Sequence, residues 1–245
     1  MEDTAAASLP ARRPVVALLL YPGLTLLDLV APYQALAQSM DVHLVWKDLE
    51  PVKDDIGVEM LPTTTFADCP EQLDLLLVPG GSGQVEVNGD DEVLEFVADR
   101  GARARYVASV CGGSLILGAA GLLRGYRAAT HWIARELLAA YGAQNINERV
   151  VIDRNRITGG GVTAGLDLGL VVIAEMLGEE IAKITQLRLE YDPQPPFDTG
   201  SPEGAGARLT RLVRDDFQAF VGQLADVANT LPERGWGRAR EAVRV

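Results

Sequence analysis

The sequence predicts one α/β domain in which a mostly parallel sheet is covered by helices on both faces. Short strand-like runs alternate with helical patterns along the chain, as in successive βαβ units. Several runs are apolar throughout, which is typical of parallel strands buried on both faces. No internal repeat or linker interrupts this pattern before a Pro/Gly-rich loop at 191–206. We therefore expect a disordered leader at 1–13, a single domain at 14–230 and a frayed tail at 231–245.

The elements follow from composition and periodicity. Apolar or β-branched runs predict strands at 14–20, 42–46, 73–78 and 106–110, one or two short edge strands within 51–66, and a hairpin of 150–153 with 156–158. Helical spacing and terminal signals predict helices at 26–38, 90–100, 113–120, 131–141, 163–177, 179–189 and 209–229. Ligands of such sheets bind beyond the carboxyl ends of the strands, so the segments that follow strands are the places to look for chemistry.

Composition excludes several classes of function. The chain carries 34 Asp and Glu against 22 Lys and Arg, a formal net charge of −12, so it would repel nucleic acid. No apolar stretch reaches the roughly 20 residues of a membrane span, and 1–13 lacks the apolar region of a signal peptide. The two cysteines cannot form a disulfide framework, and no Cys or His pair has metal-ligand spacing. We expect a cytoplasmic protein without metal or cofactor, whose partners include neither nucleic acid nor a membrane.

Cys111 lies in the strongest local motif, Ser-Val-Cys-Gly-Gly, between a predicted strand and a predicted helix. A nucleophile elbow needs small residues two before and two after the nucleophile, and Ser109 and Gly113 occupy those positions. A thiol at a helix N-terminus is also favoured as thiolate. A buried core cysteine is the commoner fate of a free thiol, but a Gly-Gly-Ser run is not a core pattern. We therefore predict a functional Cys111, and treat Cys69 as structural.

Asp28 and a glycine-rich loop follow two other predicted strands. Asp28 lies at an apolar helix start, where it is either a carboxylate that interacts with the helix dipole or a general acid/base with a raised pKa. Gly80 and Gly81 lie in Pro-Gly-Gly-Ser-Gly, which is either a tight turn or, with Gly112, an oxyanion hole.

Thr130, His131 and Trp132 are candidate pocket residues. They follow Cys111 by about 20 residues, and His131 is either the base of a Cys–His pair or a structural histidine near a helix start. His43 lies within a strand and is given no role. The glycines at 159–165 lack a phosphate-loop spacing, so close packing and helix capping account for them better.

These motifs, in this order, resemble the ThiJ/PfpI superfamily of glutamine-amidotransferase-like cysteine proteins. The resemblance spans roughly residues 14–225. It is carried by Gly-Leu-Thr-Leu-Leu-Asp28, Leu-Val-Pro-Gly-Gly81, Ser-Val-Cys111-Gly-Gly-Ser-Leu-Ile-Leu-Gly-Ala-Ala-Gly, Ala-Thr-His131-Trp132 and Gly-Gly161-Val-Thr-Ala-Gly-Leu-Asp167. Within the superfamily the chain is most similar to the isocyanide hydratases, and the loop at 190–197 also resembles that subgroup.

The resemblance implies a flavodoxin-like sandwich, a homodimer, Cys111 as nucleophile and Asp28 as its carboxylate partner. The protease-like branch has a histidine directly after the cysteine, whereas this chain has Gly112, so a protease-type pair is disfavoured. The isocyanide hydratases are expected to carry a threonine there, and Gly112 keeps the backbone N–H but lacks the hydroxyl.

The leading hypothesis is an isocyanide-hydratase-like lyase that adds water to a small neutral isocyanide through a Cys111 thioimidate, giving an N-substituted formamide. Two alternatives stay open: a glyoxalase- or deglycase-like enzyme acting on small carbonyls, and a non-catalytic redox-sensing or ligand-binding member, which Gly112 would fit. Related domains occur in regulators with an appended helix-turn-helix pair, but only about 40 residues follow the loop at 191–206, too few for such a module.

Overall fold

The central sheet has seven strands, and four of its five inner strands are almost entirely buried. A computed structural model describes residues 12–236. The strand order is β10-β11-β7-β6-β1-β2-β5, and every neighbouring pair is parallel except the hairpin β10–β11. These strands are β1 (Val15–Leu19), β2 (Asp41–Trp46), β5 (Thr64–Thr65), β6 (Leu75–Val78), β7 (Tyr106–Ser109), β10 (Val150–Asp153) and β11 (Arg156–Gly159). The predicted flavodoxin-like α/β class is confirmed.

Helices cover both faces of the sheet. They are α1 (Leu26–Leu36), α2 (Gln84–Asn88), α3 (Asp91–Arg103), α4 (Gly113–Ala119), a 3₁₀ helix (Trp132–Tyr141), α5 (Ala164–Leu177), α6 (Glu179–Arg188) and α7 (Pro202–Thr230). Helices α1 and α5 pack closely, since a Cβ atom at Gly165 or Gly169 would lie 3.0 Å from Pro32 or Ala35 respectively. This contact supports the packing interpretation of the glycine-rich segment at 159–165.

The region 51–66 holds three short strands rather than one or two. Only β5 joins the edge of the main sheet, because β3 (Val52–Lys53) and β4 (Glu59–Met60) pair with each other. Three short elements carry no clear pattern in the sequence and were not predicted, namely α2, β8 (Arg127–Ala128) and β9 (Gln144–Asn145).

Helix α7 begins seven residues earlier than the predicted start at 209. The side chain of Ser201 accepts a hydrogen bond from the Gly204 N–H, and Pro202 occupies the first turn, where its missing N–H costs nothing. At Gly206 the backbone has φ = 70°, so the helix kinks there instead of ending. Proline and glycine therefore start and bend this helix rather than excluding it.

The two ends of the described chain are fastened to the domain. Arg12 and Arg13, assigned to the leader, hydrogen-bond to Asp74 and to the Ala37 carbonyl, while 1–11 lie outside the described residues. The prediction of a frayed tail from 231 is wrong for 231–236, because Leu231 and Trp236 are buried. The indole Nε1 of Trp236 donates a 2.6 Å hydrogen bond to Asp91. The rest of the predicted tail, 237–245, lies outside the described residues.

Candidate active site

Three loops at the carboxyl ends of β1, β6 and β7 interlock at one edge of the sheet. The Thr25 N–H donates to the Gly80 carbonyl at 2.9 Å, and Leu24 forms an isolated bridge with Gly81. A Cβ atom at Gly81, where φ is 144°, would lie 2.4 Å from the Thr25 nitrogen. Only glycine allows this approach, and it brings the segments carrying Asp28 and Cys111 together.

Cys111 lies in a sharp turn between β7 and α4. Its φ is 56°, a left-handed conformation that is costly for a residue with a Cβ atom. Its N–H donates to the Gly160 carbonyl at 2.7 Å, and its carbonyl accepts from the Thr130 hydroxyl at 2.7 Å. A Cβ atom at Gly113 would lie 2.0 Å from the Val78 carbonyl oxygen, so glycine is required two residues after the cysteine. Cys111 therefore stands in a strained strand–turn–helix, and its role as a nucleophile stays a prediction.

Asp28 is fully buried in the first turn of α1. Its Oδ2 atom accepts a 3.0 Å hydrogen bond from the Gly80 N–H, and the Cys111 thiol lies close enough for the carboxyl and the thiol to shift each other's pKa. The second oxygen, Oδ1, has no donor among the described residues. Asp28 thus lies in the first turn of α1, where the helix dipole favours a carboxylate, and is also buried, as an acid with a raised pKa requires.

Burial changes the protonation of both groups. It raises the pKa of Asp28 to about 7, against which the hydrogen bonds from Gly80 and Cys111 act. Burial, and then the charge of Asp28, raise the pKa of the Cys111 thiol well above its usual value, while the Gly112 N–H lowers it. At neutral pH the thiol therefore holds its proton and Asp28 is near its midpoint, so the two titrate as a coupled pair.

The three glycines predicted as an oxyanion hole do not all have a free N–H. The Gly80 N–H is taken by Asp28, so the prediction that it would face a substrate is wrong. The Gly112 N–H is directed at the Cys111 thiol. A Cβ atom at Gly80 would lie 2.4 Å from the Gly112 nitrogen, which shows that the first glycine serves close packing. Gly81 and Gly112 both line the cavity described next.

A cavity of about 420 Å³ opens in front of Cys111. Its apolar wall combines residues from several elements: Ile56, Ile133, Ala134, Val162, Phe217 and Phe220. The charged residues that line it are the acids Asp55 and Asp216, and it has no lysine or arginine in its lining. Such a cavity suits a small uncharged molecule better than an anion.

The three predicted pocket residues have different positions. His131 lines the cavity, but its Nδ1 accepts a hydrogen bond from the Ile133 N–H at 3.3 Å and caps the 3₁₀ helix. Burial lowers its pKa, so the ring is neutral at pH 7. Thr130 is buried behind Cys111, and Trp132 stacks against Arg214 instead of lining the cavity. The interpretation of His131 as a structural cap is the one this geometry supports.

Gln84 was not predicted from the sequence. Its side chain is only 1% exposed, it lines the cavity, and its Oε1 has no donor among the described residues. A Cβ atom at Gly112 would lie 1.9 Å from that oxygen, so Gln84 occupies the space that a side chain at 112 would need. In the sequence, Gln84 reads as an ordinary polar residue after a glycine turn.

Other structural findings bear on the excluded classes. Among residues 12–236 no group of three or more Cys, His, Asp or Glu side chains is arranged to hold a metal ion. No helix in the same range is both long and apolar enough to cross a bilayer.

Comparison with known proteins shows the family to which the chain is similar. The DJ-1/PfpI family model matches residues 14–175. An isonitrile hydratase from Pseudomonas putida is 52% identical over 201 residues, which cover 81% of this chain and 88% of that protein. The crystal structure of a ThiJ/PfpI family protein from Pseudomonas syringae superposes with a TM-score of 0.88 at 45% identity, covering 93% of this chain and 97% of that one.

The chain is also similar to a more distant protein with a different name. The deglycase PfpI of Pyrococcus furiosus is 25% identical over 133 residues, 54% of this chain and 80% of its own length. The matched family region contains the strand–turn–helix at Cys111, the buried Asp28 and the interlocked glycine loop. The chain therefore belongs to the DJ-1/PfpI family.

Proposed function

We propose that the protein is an isocyanide hydratase that converts a small neutral isocyanide to the N-substituted formamide. The observation that carries the proposal is the Cys111 thiol in contact with a buried Asp28, whose pKa is raised to about 7, at the floor of a cavity without a cationic lining residue. The 52% identity to an isonitrile hydratase over most of both chains supports the same conclusion.

In the first step Sγ of Cys111 attacks the terminal isocyanide carbon. The thiol proton passes to the Asp28 carboxylate, which then delivers it to that carbon, giving a thioimidate on Cys111. A carboxyl group with a pKa near 7 can take up and release a proton at neutral pH, which one of ordinary acidity does less well.

In the second step water adds to the thioimidate carbon. One water proton goes to Asp28, which passes it on to the substrate nitrogen, so that a hydroxyl group and the sulfur share one carbon. When this intermediate collapses, the carbon–sulfur bond breaks, the hydroxyl proton passes to Cys111 and the formamide is released. The sum is one isocyanide plus one water giving one formamide, with no oxidant, metal or cofactor required.

The cavity supports a neutral substrate. An isocyanide carries no net charge and needs no cationic clamp, whereas the acids Asp55 and Asp216 would repel a carboxylate or phosphate. The apolar wall formed by Ile133, Phe217 and Phe220 suits the substituent on the isocyanide nitrogen.

The test is turnover of simple alkyl and aryl isocyanides by the purified protein, with the formamide detected directly. Cys111→Ala is expected to abolish turnover and to keep the fold, while Cys69→Ala, a cysteine buried away from the cavity, is expected to keep activity. A folded wild-type protein that yields no formamide would refute the proposal. Consumption of methylglyoxal with formation of lactate would favour the carbonyl-directed alternative instead.

A further inference from the structure

We infer that Gln84 positions the water that adds to the thioimidate on Cys111. The inference rests on the proposed isocyanide hydration and assigns one residue to its second step. Gln84 stands at the start of α2, after the glycine loop that follows β6, and its side chain reaches the cavity beside Gly112.

It is unusual for a buried amide oxygen to have no hydrogen-bond donor. The side chain is 1% exposed, and no donor among the described residues reaches Oε1. Leaving a buried acceptor unsatisfied is destabilising, and an apolar side chain of similar size would avoid that cost. A glutamine at position 84 is explained if Oε1 accepts a hydrogen bond from a molecule that takes part in the reaction.

The chemistry selects which donor that is. An isocyanide has no N–H or O–H, so it cannot donate to Oε1. Water can, and in the second step it must stand next to the carbon bonded to Sγ of Cys111. Gln84 and Cys111 line the same cavity, and the amide of Gln84 lies where a Cβ atom of Gly112, the residue after the cysteine, would be.

Asp28 is the second group in this arrangement. Its Oδ1 is the second buried acceptor without a donor at this site. A Cβ atom built at Gly80 would lie 3.0 Å from Asp28 Oδ2 and also close to Gly112, so the carboxyl and Gly112 are near each other. In the inferred step one hydrogen of the water is held by Gln84 Oε1 and the other passes to Asp28. The water oxygen bonds to the thioimidate carbon, and the proton on Asp28 moves to the substrate nitrogen.

Gly112 has a role in this arrangement. Because a side chain at 112 would displace the amide of Gln84, the glycine after the cysteine leaves room for it.

The experiment separates the two steps by following the covalent adduct. Wild type, Gln84→Met and the control Gln34→Met, which makes the same replacement at an exposed position on α1, are mixed with benzyl isocyanide. Intact-protein mass spectrometry measures adduct formation, and its decay after removal of free isocyanide. We expect Gln84→Met to form the adduct at nearly the wild-type rate and to hydrolyse it roughly tenfold more slowly, the factor for about 1.4 kcal/mol of lost hydrogen bonding. Gln34→Met should match wild type in both steps.

A second variant tests the acceptor oxygen itself. Gln84→Glu keeps an oxygen at the same distance along the side chain, so adduct decay should be faster than in Gln84→Met. The inference is overturned if Gln84→Met decays like wild type, if it fails to form the adduct, or if Gln84→Glu is no faster than Gln84→Met. Wild type that forms neither adduct nor formamide would instead reject the hydratase proposal.

Discussion

The contact between positions 112 and 84 predicts a strong coupling between substitutions there. In Gly112→Thr the new Cβ atom would lie 1.9 Å from Oε1, 2.7 Å from Cδ and 2.9 Å from Nε2 of Gln84. Ordinary carbon contacts are about 3.5–4.0 Å, so the whole amide must move. Overpacking of this kind costs about 1–3 kcal/mol of unfolding free energy.

Shortening Gln84 should remove most of that cost. Gln84→Ala alone deletes packing but also an unpartnered buried oxygen, so its own effect on stability should be small. Combined with Gly112→Thr it clears the volume that the threonine needs. We expect the double variant to be more stable than the sum of the single effects by about 1–3 kcal/mol.

The assay is urea unfolding of wild type, both single variants and the double variant, analysed as a double-mutant cycle. In a chain of this size each kcal/mol also moves Tm by about 2–4 °C. Gly222→Thr is the matched control, since that glycine is exposed in α7 with nothing within 4 Å of an added Cβ atom. Additivity within about 0.5 kcal/mol would show that Gln84 does not fill the space beside Gly112.

Three further predictions concern stability. Because burial raises the pKa of Asp28 to about 7, the folded protein keeps a proton there that the unfolded chain loses near pH 4. The free energy of unfolding should therefore fall as the pH rises from about 4 to about 7, by on the order of 4 kcal/mol from this group. Asp28→Asn should remove that fall, and equal pH slopes for the two proteins in urea unfolding would contradict it. Gly80→Ala should cost about 1–3 kcal/mol, because its Cβ atom would lie 2.4 Å from the Gly112 nitrogen, whereas Gly200→Ala, with nothing within 4 Å, should cost nothing measurable by the same method. Trp236→Ala should lower Tm, with a loss of up to about 3–5 kcal/mol, and an unchanged Tm would mean that the C-terminal segment does not contribute to the fold.

The main sheet could be predicted because its strands depend on a signal that sequence carries directly. The run that forms β1 is apolar at every position, and both faces of that strand are covered by helices. Two-residue strands such as β8 and β9 have no such signal, since their pairing depends on where neighbouring segments lie. The start of α7 was missed because proline and glycine are helix breakers in general but not in a first turn or at a kink.

The candidate site was only partly predictable for the same reason. Cys111 stands in a turn whose small residues are visible in the sequence, and the structure explains them by the contact of Gly113 with Val78. Gln84 and Trp132 show the limit, because a glutamine that turns inward and a tryptophan that faces Arg214 have no local pattern that distinguishes them. What places them is tertiary packing.

The cavity is lined by residues from inside and from outside the region that the family model matches. Cys111 and Asp28 lie within residues 14–175, the region shared across the DJ-1/PfpI family, whereas Asp216, Phe217 and Phe220 come from α7, beyond that region. In the proposed hydration the reacting groups lie within the family region, while part of the apolar wall lies outside it. Replacing the stretch of α7 around Phe217 and Phe220 gives a route to new substituent preferences that leaves the reacting groups in place, and natural members could diverge in the same way.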